Sequence, residues 1–211
     1  MSRSELAQNL LVAGLFGIVV PWKKGIEFLD SFLLLAFSSI SFLFVAPGAV
    51  AAVFEARARR EQGALAAGVL RAIARGWLTG AALLVLGLIT VNIGHAGPGI
   101  VLPPPATLLS VLVFSLLGSV IAGGLAARLS QLVDSEKAAT RGLRISFLLL
   151  LCLLFYLPRL LPEEWKDALV LQLTAEGLAR WTLAASPFLA LAGGLLLASV
   201  VRRANRGRLS D

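Results

Sequence analysis

The stretch Phe54–Gly76, FEARARREQGALAAGVLRAIARG, lies between two apolar runs, Phe32–Phe54 and Trp77–Ile93. It carries five arginines and two glutamates. The flanking runs pass almost without charge for the ~17 to 25 residues that an α-helix needs to cross the hydrocarbon core of a bilayer. A charged stretch bracketed in this way reads as an aqueous hairpin, residues 55–76, between two membrane spans. The fold class that follows is all-α: a polytopic integral membrane protein forming one transmembrane domain over residues 1–211.

Composition agrees. The chain is 58% hydrophobic and only 15% charged, against about 25% charged residues in a soluble domain. Mean hydropathy is +0.87. Four further apolar segments complete a set of six expected spans, at 6–22, 32–54, 77–93, 106–127, 145–161 and 182–201. The segment 145–161 is the richest in Leu, Ile and Phe, each of which favours insertion. The segment 6–22 contains Gln8 and Asn9 and could be taken for a signal peptide. The sequence VVPWKKG that follows offers no small-residue cleavage site, so it reads as a retained helix.

The net charge of +7 is laid down in blocks at the ends of apolar runs. Fourteen lysines and arginines fall on one side of the six-span arrangement and five on the other. The richer side holds Arg3, the 55–76 hairpin, the 128–144 connection and the tail from Arg202 to Arg208. The positive-inside rule makes that side cytoplasmic, with both termini there. Topology accounts for the basic charge, and a nucleic-acid partner is not expected. In a bacterium the cytoplasmic (inner) membrane is the expected location.

Two other connections differ in kind. Gly94–Pro105, GHAGPGIVLPPP, is uncharged and turn-rich, and its prolines suit the start of a helix. Residues 163–178 follow Pro162 and open on two glutamates, a helix start. Trp165, Ala168, Leu169 and Gln172 then share one face. This predicts a short outer helix at the interface, with Trp165 and Trp181 at headgroup level.

Small residues recur at helical spacing along the fourth span: Gly118, Ala122 and Ala126 on one stripe, Ser119, Gly123 and Ala127 on the next. The last span adds Ala190 and Gly194. Such stripes let helices approach closely in lipid. They serve packing within the chain or a subunit interface, and Gly118, Ala122, Gly123, Ala126 and Gly194 are the candidates.

Catalytic patterns are missing. The single histidine, His95, lies in a loop, and the single cysteine, Cys152, lies inside an apolar run. Neither can build a metal site alone. Spans rich in serine carry no histidine or lysine to activate a nucleophile. No HExxH and no P-loop occurs. The expectation is a chain that is not an enzyme and binds no cofactor, with any ATP hydrolysis on a partner chain.

After Gly63 the hairpin reads as a short amphipathic helix with Leu65, Val69, Ile73 and Leu78 on one side, and Arg71 and Arg75 paired at i, i+4. Its opening, EQGAL (Glu61 to Leu65), and the later LLPEEW and AASPF stretches complete a recognisable order: two spans, a charged turn, a short cytoplasmic helix, two spans, a basic loop, a span, an outer helix and a final span. This layout resembles the permease subunit of ABC-2-type transporters. Members of that family commonly carry an acidic–x–Gly–Thr–Leu opening, with Ala64 here in place of the threonine. The resemblance implies that Glu61, Gly63, Leu65, Arg71 and Arg75 belong to a coupling helix that touches a separate cytoplasmic ABC ATPase. It also implies a second permease copy or paralogue, and a lipid, peptide or hydrophobic small molecule as cargo. The alternative from another class is a non-catalytic structural subunit of a larger membrane assembly, binding neighbouring helices and membrane lipids.

Overall fold

The computed structural model describes residues 10–29, 34, 39–59, 62–95, 97, 99–165 and 175–206. Among these residues the chain is all-helical, with no strand. We number the helices α1 (residues 10–24), α2 (Ser41–Arg59), α3 (Gln62–His95), α4 (Pro105–Ser130), α5 (Glu136–Leu160) and α6 (Ala175–Arg206). A 3₁₀ turn, Gly25–Leu29, follows α1. Four stretches are long and apolar enough to cross a membrane: Ser41–Arg59, Ala64–His95, Pro105–Ser130 and Gly177–Arg202.

The first departure from expectation is α3. The short cytoplasmic helix and the span 77–93 are one continuous helix of 34 residues, about 51 Å long at ~1.5 Å per residue. Gly76, where the division was expected, does not break it. A mid-helix glycine costs about 1 kcal/mol relative to alanine, and here its lack of a side chain admits α2. The same holds at the end of the chain. The span expected at 182–201 is the middle of α6, which already includes Ala175. The outer helix expected at 163–178 falls largely outside the described residues. Trp165 donates its amide to the Pro162 carbonyl at 3.0 Å, so a turn does open there.

The second departure is the segment 32–54. Ser39 and Ile40 form a turn inside it, between the helical Leu34 and the helix that starts at Ser41. The amides of Phe42 and Leu43 donate to the Ser39 and Ile40 carbonyls at 3.1 and 3.0 Å. Serine hydroxyls compete for backbone groups and favour helix starts over helix interiors, which accounts for a start within the run SSIS.

The contacts give the helix directions. Val120 faces Gly193, Gly124 faces Leu196 and Gln131 Nε2 donates to the Val200 carbonyl at 3.1 Å. Numbers rise together, so α4 and α6 are parallel. Ser41 meets Gly80 while Ala52 meets Gly68, so α2 and α3 are antiparallel. The ends α2-C, α3-N, α4-C, α5-N and α6-C therefore gather at one pole. Arg57, Arg59, Arg128, Lys137, Arg141 and Arg202 stand there.

Helix α3 is the spine. Its N-terminal half carries α2, and its C-terminal half carries α1, which runs parallel to it. The lock between α1 and α3 follows from Pro21. Proline has no N–H, so it cannot donate to the carbonyl four residues back, that of Gly17. Thr90 of α3 replaces the missing donor, with its Oγ1 3.0 Å from the Gly17 oxygen and 2.9 Å from its own Leu86 carbonyl. A π turn, Leu15–Val19, surrounds this point. Gly17 is buried, and a Cβ there would stand 2.6 Å from Leu86 Cδ2. Thr90→Val keeps the shape and removes the donor. It is expected to lower stability by about 0.6 to 1.7 kcal/mol, the range for interhelical hydrogen bonds in membranes; a thermal melt in detergent checks this, with Gly194→Ala as the neutral reference.

Two cores result. One joins Val45, Ala49, Val50, Val53 and Ala56 of α2 to Leu65, Val69 and Ile73 of α3, Ala126 and Ala127 of α4, Ala139 of α5 and Val200 of α6. The other, toward the opposite pole, gathers Phe28, Leu34, Ile40, Leu83, Leu84, Val91, Val111 and Leu178.

Candidate functional site

Two features stand out beyond packing: the α2–α3 hairpin and a hydroxyl cluster at the start of α2. The hairpin is closed by a ladder of small residues. Gly68 faces Ala52, Ala72 faces Gly48, Gly76 faces Val45 and Gly80 faces Ser41. A Cβ on Gly76 would lie 2.7 Å from the Val45 backbone nitrogen, and one on Gly80 would lie 2.7 Å from Ser41 Cβ. Contacts this close leave no room for sliding, so the hairpin is a stiff pair.

The candidate docking residues divide. Glu61 lies outside the described residues. Gly63 is in the first turn of α3. Leu65 is buried at 4% exposure, with Val69 and Ile73 beside it in the core. Leu65, expected to meet a partner, is thus covered by α2 of the same chain together with its apolar neighbours. Leu78, expected on the same side, is exposed; five positions beyond Ile73 turn the helix by about 140° at 3.6 residues per turn. Arg71 and Arg75 are exposed. Arg71 Nε donates to the Ala67 carbonyl at 3.2 Å, so its side chain runs toward the basic pole. At the hairpin tip, Arg57 Nη1 donates to the Val133 carbonyl at 3.0 Å, and its guanidinium lies 5.1 Å from the centre of the Phe54 ring. The tip is thereby tied to the α4–α5 connection.

The small-residue candidates of α4 face inward. A Cβ on Gly118 would run into the Phe42 ring, and one on Gly123 would meet Ile73 and Val45. Ala126 and Ala127 are fully buried and Ala122 is half-buried. Gly194 differs. It is exposed, and nothing lies within 4 Å of a Cβ built there. Its neighbour Gly193 makes the close approach, to Val120.

The hydroxyl cluster escaped the sequence reading as a unit. Ser41 Oγ lies 3.0 Å from Ser119 Oγ and 3.3 Å from Ser115 Oγ, and all three residues are buried. The midpoints of α4 and α6 face each other near Val120 and Gly193, and Gly80 near the middle of α3 stands at Ser41. The cluster therefore sits at mid-depth, beside the Ser39–Ile40 turn. Irregular backbone at that depth survives only where protein or water satisfies it. The hydroxyls bond to one another beside this helix start. His95, the one histidine, is at the far end of α3 from the cluster. Among the described residues no group of three His, Cys, Asp or Glu could hold a metal.

The pole opposite the arginines is a rigid cap. Asn92 Nδ2 donates to the Val101 carbonyl at 2.9 Å and its Oδ1 accepts the Val101 amide at 2.7 Å. His95 Nε2 donates to the Trp22 carbonyl at 2.7 Å and its ring meets the Trp22 ring edge-on. Gly25, with φ +57°, ends α1 under that ring, where a Cβ would be 3.2 Å away. Asn92→Leu leaves both backbone groups of Val101 without their partner. Proteolysis of the 96–104 loop is expected to accelerate severalfold, since each lost bond is worth about 1 kcal/mol; limited digestion of the variant beside wild type measures it.

No protein-family model, no curated protein and no solved structure matches this chain. Its function is argued from its own geometry.

Proposed function

We propose that this chain is the membrane-spanning permease subunit of an ABC-2-like transporter, powered by a separate ATPase that docks on the tip of the α2–α3 hairpin. The observation that carries this reading is the length and stiffness of the hairpin. Gly80 lies at mid-depth, and eighteen residues separate it from Gln62. That is about 27 Å of helix, against a half-thickness of about 15 Å for the hydrocarbon core. Roughly 12 Å of hairpin then lies beyond the hydrocarbon core at the basic pole, joined at its tip to the α4–α5 connection, a lever whose stiff ladder runs through the membrane. Arg57, Arg59 and Gly63 belong to that part.

The basic pole is cytoplasmic in this proposal, by the positive-inside rule, and the membrane is a bacterial inner membrane. Parallel α1 and α3 support a first crossing from that side, and six crossings then leave both termini cytoplasmic. A second permease copy or paralogue completes the pathway, and the cargo is a lipid, a peptide or a hydrophobic small molecule. A second reading, a structural subunit of a larger membrane assembly, is favoured by α6. Only 11% of its apolar window is buried, and Leu183, Phe188, Leu191 and Leu195 are free to meet neighbouring helices or lipid. Gentle detergent extraction of the tagged chain, with mass spectrometry of what accompanies it, separates the two. A stoichiometric ABC ATPase supports the permease; integral membrane subunits without an ATPase support the scaffold.

A further inference from the structure

We infer that Arg71 and Arg75 form a headgroup site for an anionic phospholipid of the basic-side leaflet. Both side chains are exposed, one helical turn apart on α3. Among the described residues neither has an acidic partner within ion-pair distance; Lys24 and Glu27 pair at the other pole. They lie nine and five residues from Gly80, about 14 and 8 Å along the helix: Arg71 at the edge of a half-core of about 15 Å and Arg75 about 7 Å inside it. Arginine stems extend toward the nearer aqueous side from such depths, and the Arg71 Nε bond to Ala67 has that direction.

The surface continues inward without charge. Leu78, Ala82 and Val85 are exposed on α3 beyond the arginines, and exposed Ala74 lies between them. Nine residues separate Arg71 from Gly80 at mid-depth, about 14 Å, which matches the hydrocarbon depth of one leaflet. Two guanidiniums at the border, with an apolar stripe of one leaflet's length running from them, complement a phosphate headgroup and its acyl chains. A soluble partner cannot follow that stripe into hydrocarbon. The site is separate from the hairpin tip, and the inference stands whether or not an ATPase docks there.

The test uses the full chain, delipidated in detergent and titrated with phosphatidylglycerol or with phosphatidylcholine of the same acyl chains, with bound lipid counted by native mass spectrometry. Wild type is expected to retain phosphatidylglycerol in preference. Arg71→Gln with Arg75→Gln is expected to weaken that retention roughly thirtyfold, about fivefold for each arginine, with phosphatidylcholine unaffected. Arg71→Lys with Arg75→Lys keeps most of it, and Arg57→Gln with Arg59→Gln leaves it unchanged. The glutamine pair replaces exposed side chains, and an unchanged melting temperature confirms its fold. Equal retention of the two lipids by wild type overturns the inference. So does unchanged phosphatidylglycerol retention in the glutamine pair, or a dimer cross-linked through residues 71–85.

Discussion

Gly76→Leu is expected to lower the melting temperature in detergent by roughly 3 to 10 °C. Overpacking of a closed interface costs about 1 to 3 kcal/mol, and a chain of this size loses about 2 to 4 °C per kcal/mol. The cause is specific. A Cβ at this position meets the Val45 backbone at 2.7 and 2.9 Å, and backbone cannot turn aside as the end of a side chain does. The hairpin must splay, which opens the core around Val45, Val69 and Ile73 as well. Gly194→Leu is the matched control, because a side chain there enters open space. If both variants melt with wild type, the ladder between α2 and α3 is not the contact that holds the hairpin rigid.

The second large effect concerns the partner. Arg57→Glu with Arg59→Glu reverses the charge of the hairpin tip. Like-charge contacts across an interface cost several kcal/mol, so retention of a docked ATPase is expected to fall by roughly tenfold or more. Insertion into the membrane and the melting temperature of the isolated chain should change little, since both residues are exposed; the Arg57 bond to Val133 and its contact with the Phe54 ring are the internal contacts removed. Arg71→Gln with Arg75→Gln, at the membrane border, is expected to keep the ATPase. Retention that follows the border pair instead of the tip would move the docking surface off the projecting hairpin.

The membrane character was legible in the apolar runs, and the 55–76 hairpin, the 128–144 connection and the end of α6, which charge grouped together, meet at one pole. The joints between elements were not. Gly76 stands where charge gives way to apolar residues, and composition divided the chain there. The ladder Gly68, Ala72, Gly76 and Gly80 was present at strict i, i+4 spacing, yet it straddles that boundary and so belonged to neither segment alone. Gly193 and Gly194 illustrate a different limit. Adjacent helical positions point about 100° apart, and only the place of α4 decides which one packs. Ser41, Ser115 and Ser119 come from helices more than seventy residues apart in the chain, and the bond from Thr90 to the carbonyl freed by Pro21 spans a similar distance. Long-range satisfaction of polar groups leaves no local periodicity to read.

The most direct test of the permease proposal is site-specific photo-crosslinking in native membranes, with a photoreactive amino acid in place of Arg59. The account predicts a nucleotide-dependent adduct to a soluble ABC ATPase, and no such adduct when the photoreactive residue replaces Leu102 at the opposite pole. Adducts from position 59 to lipids or integral membrane subunits alone would contradict it and leave the chain a scaffold.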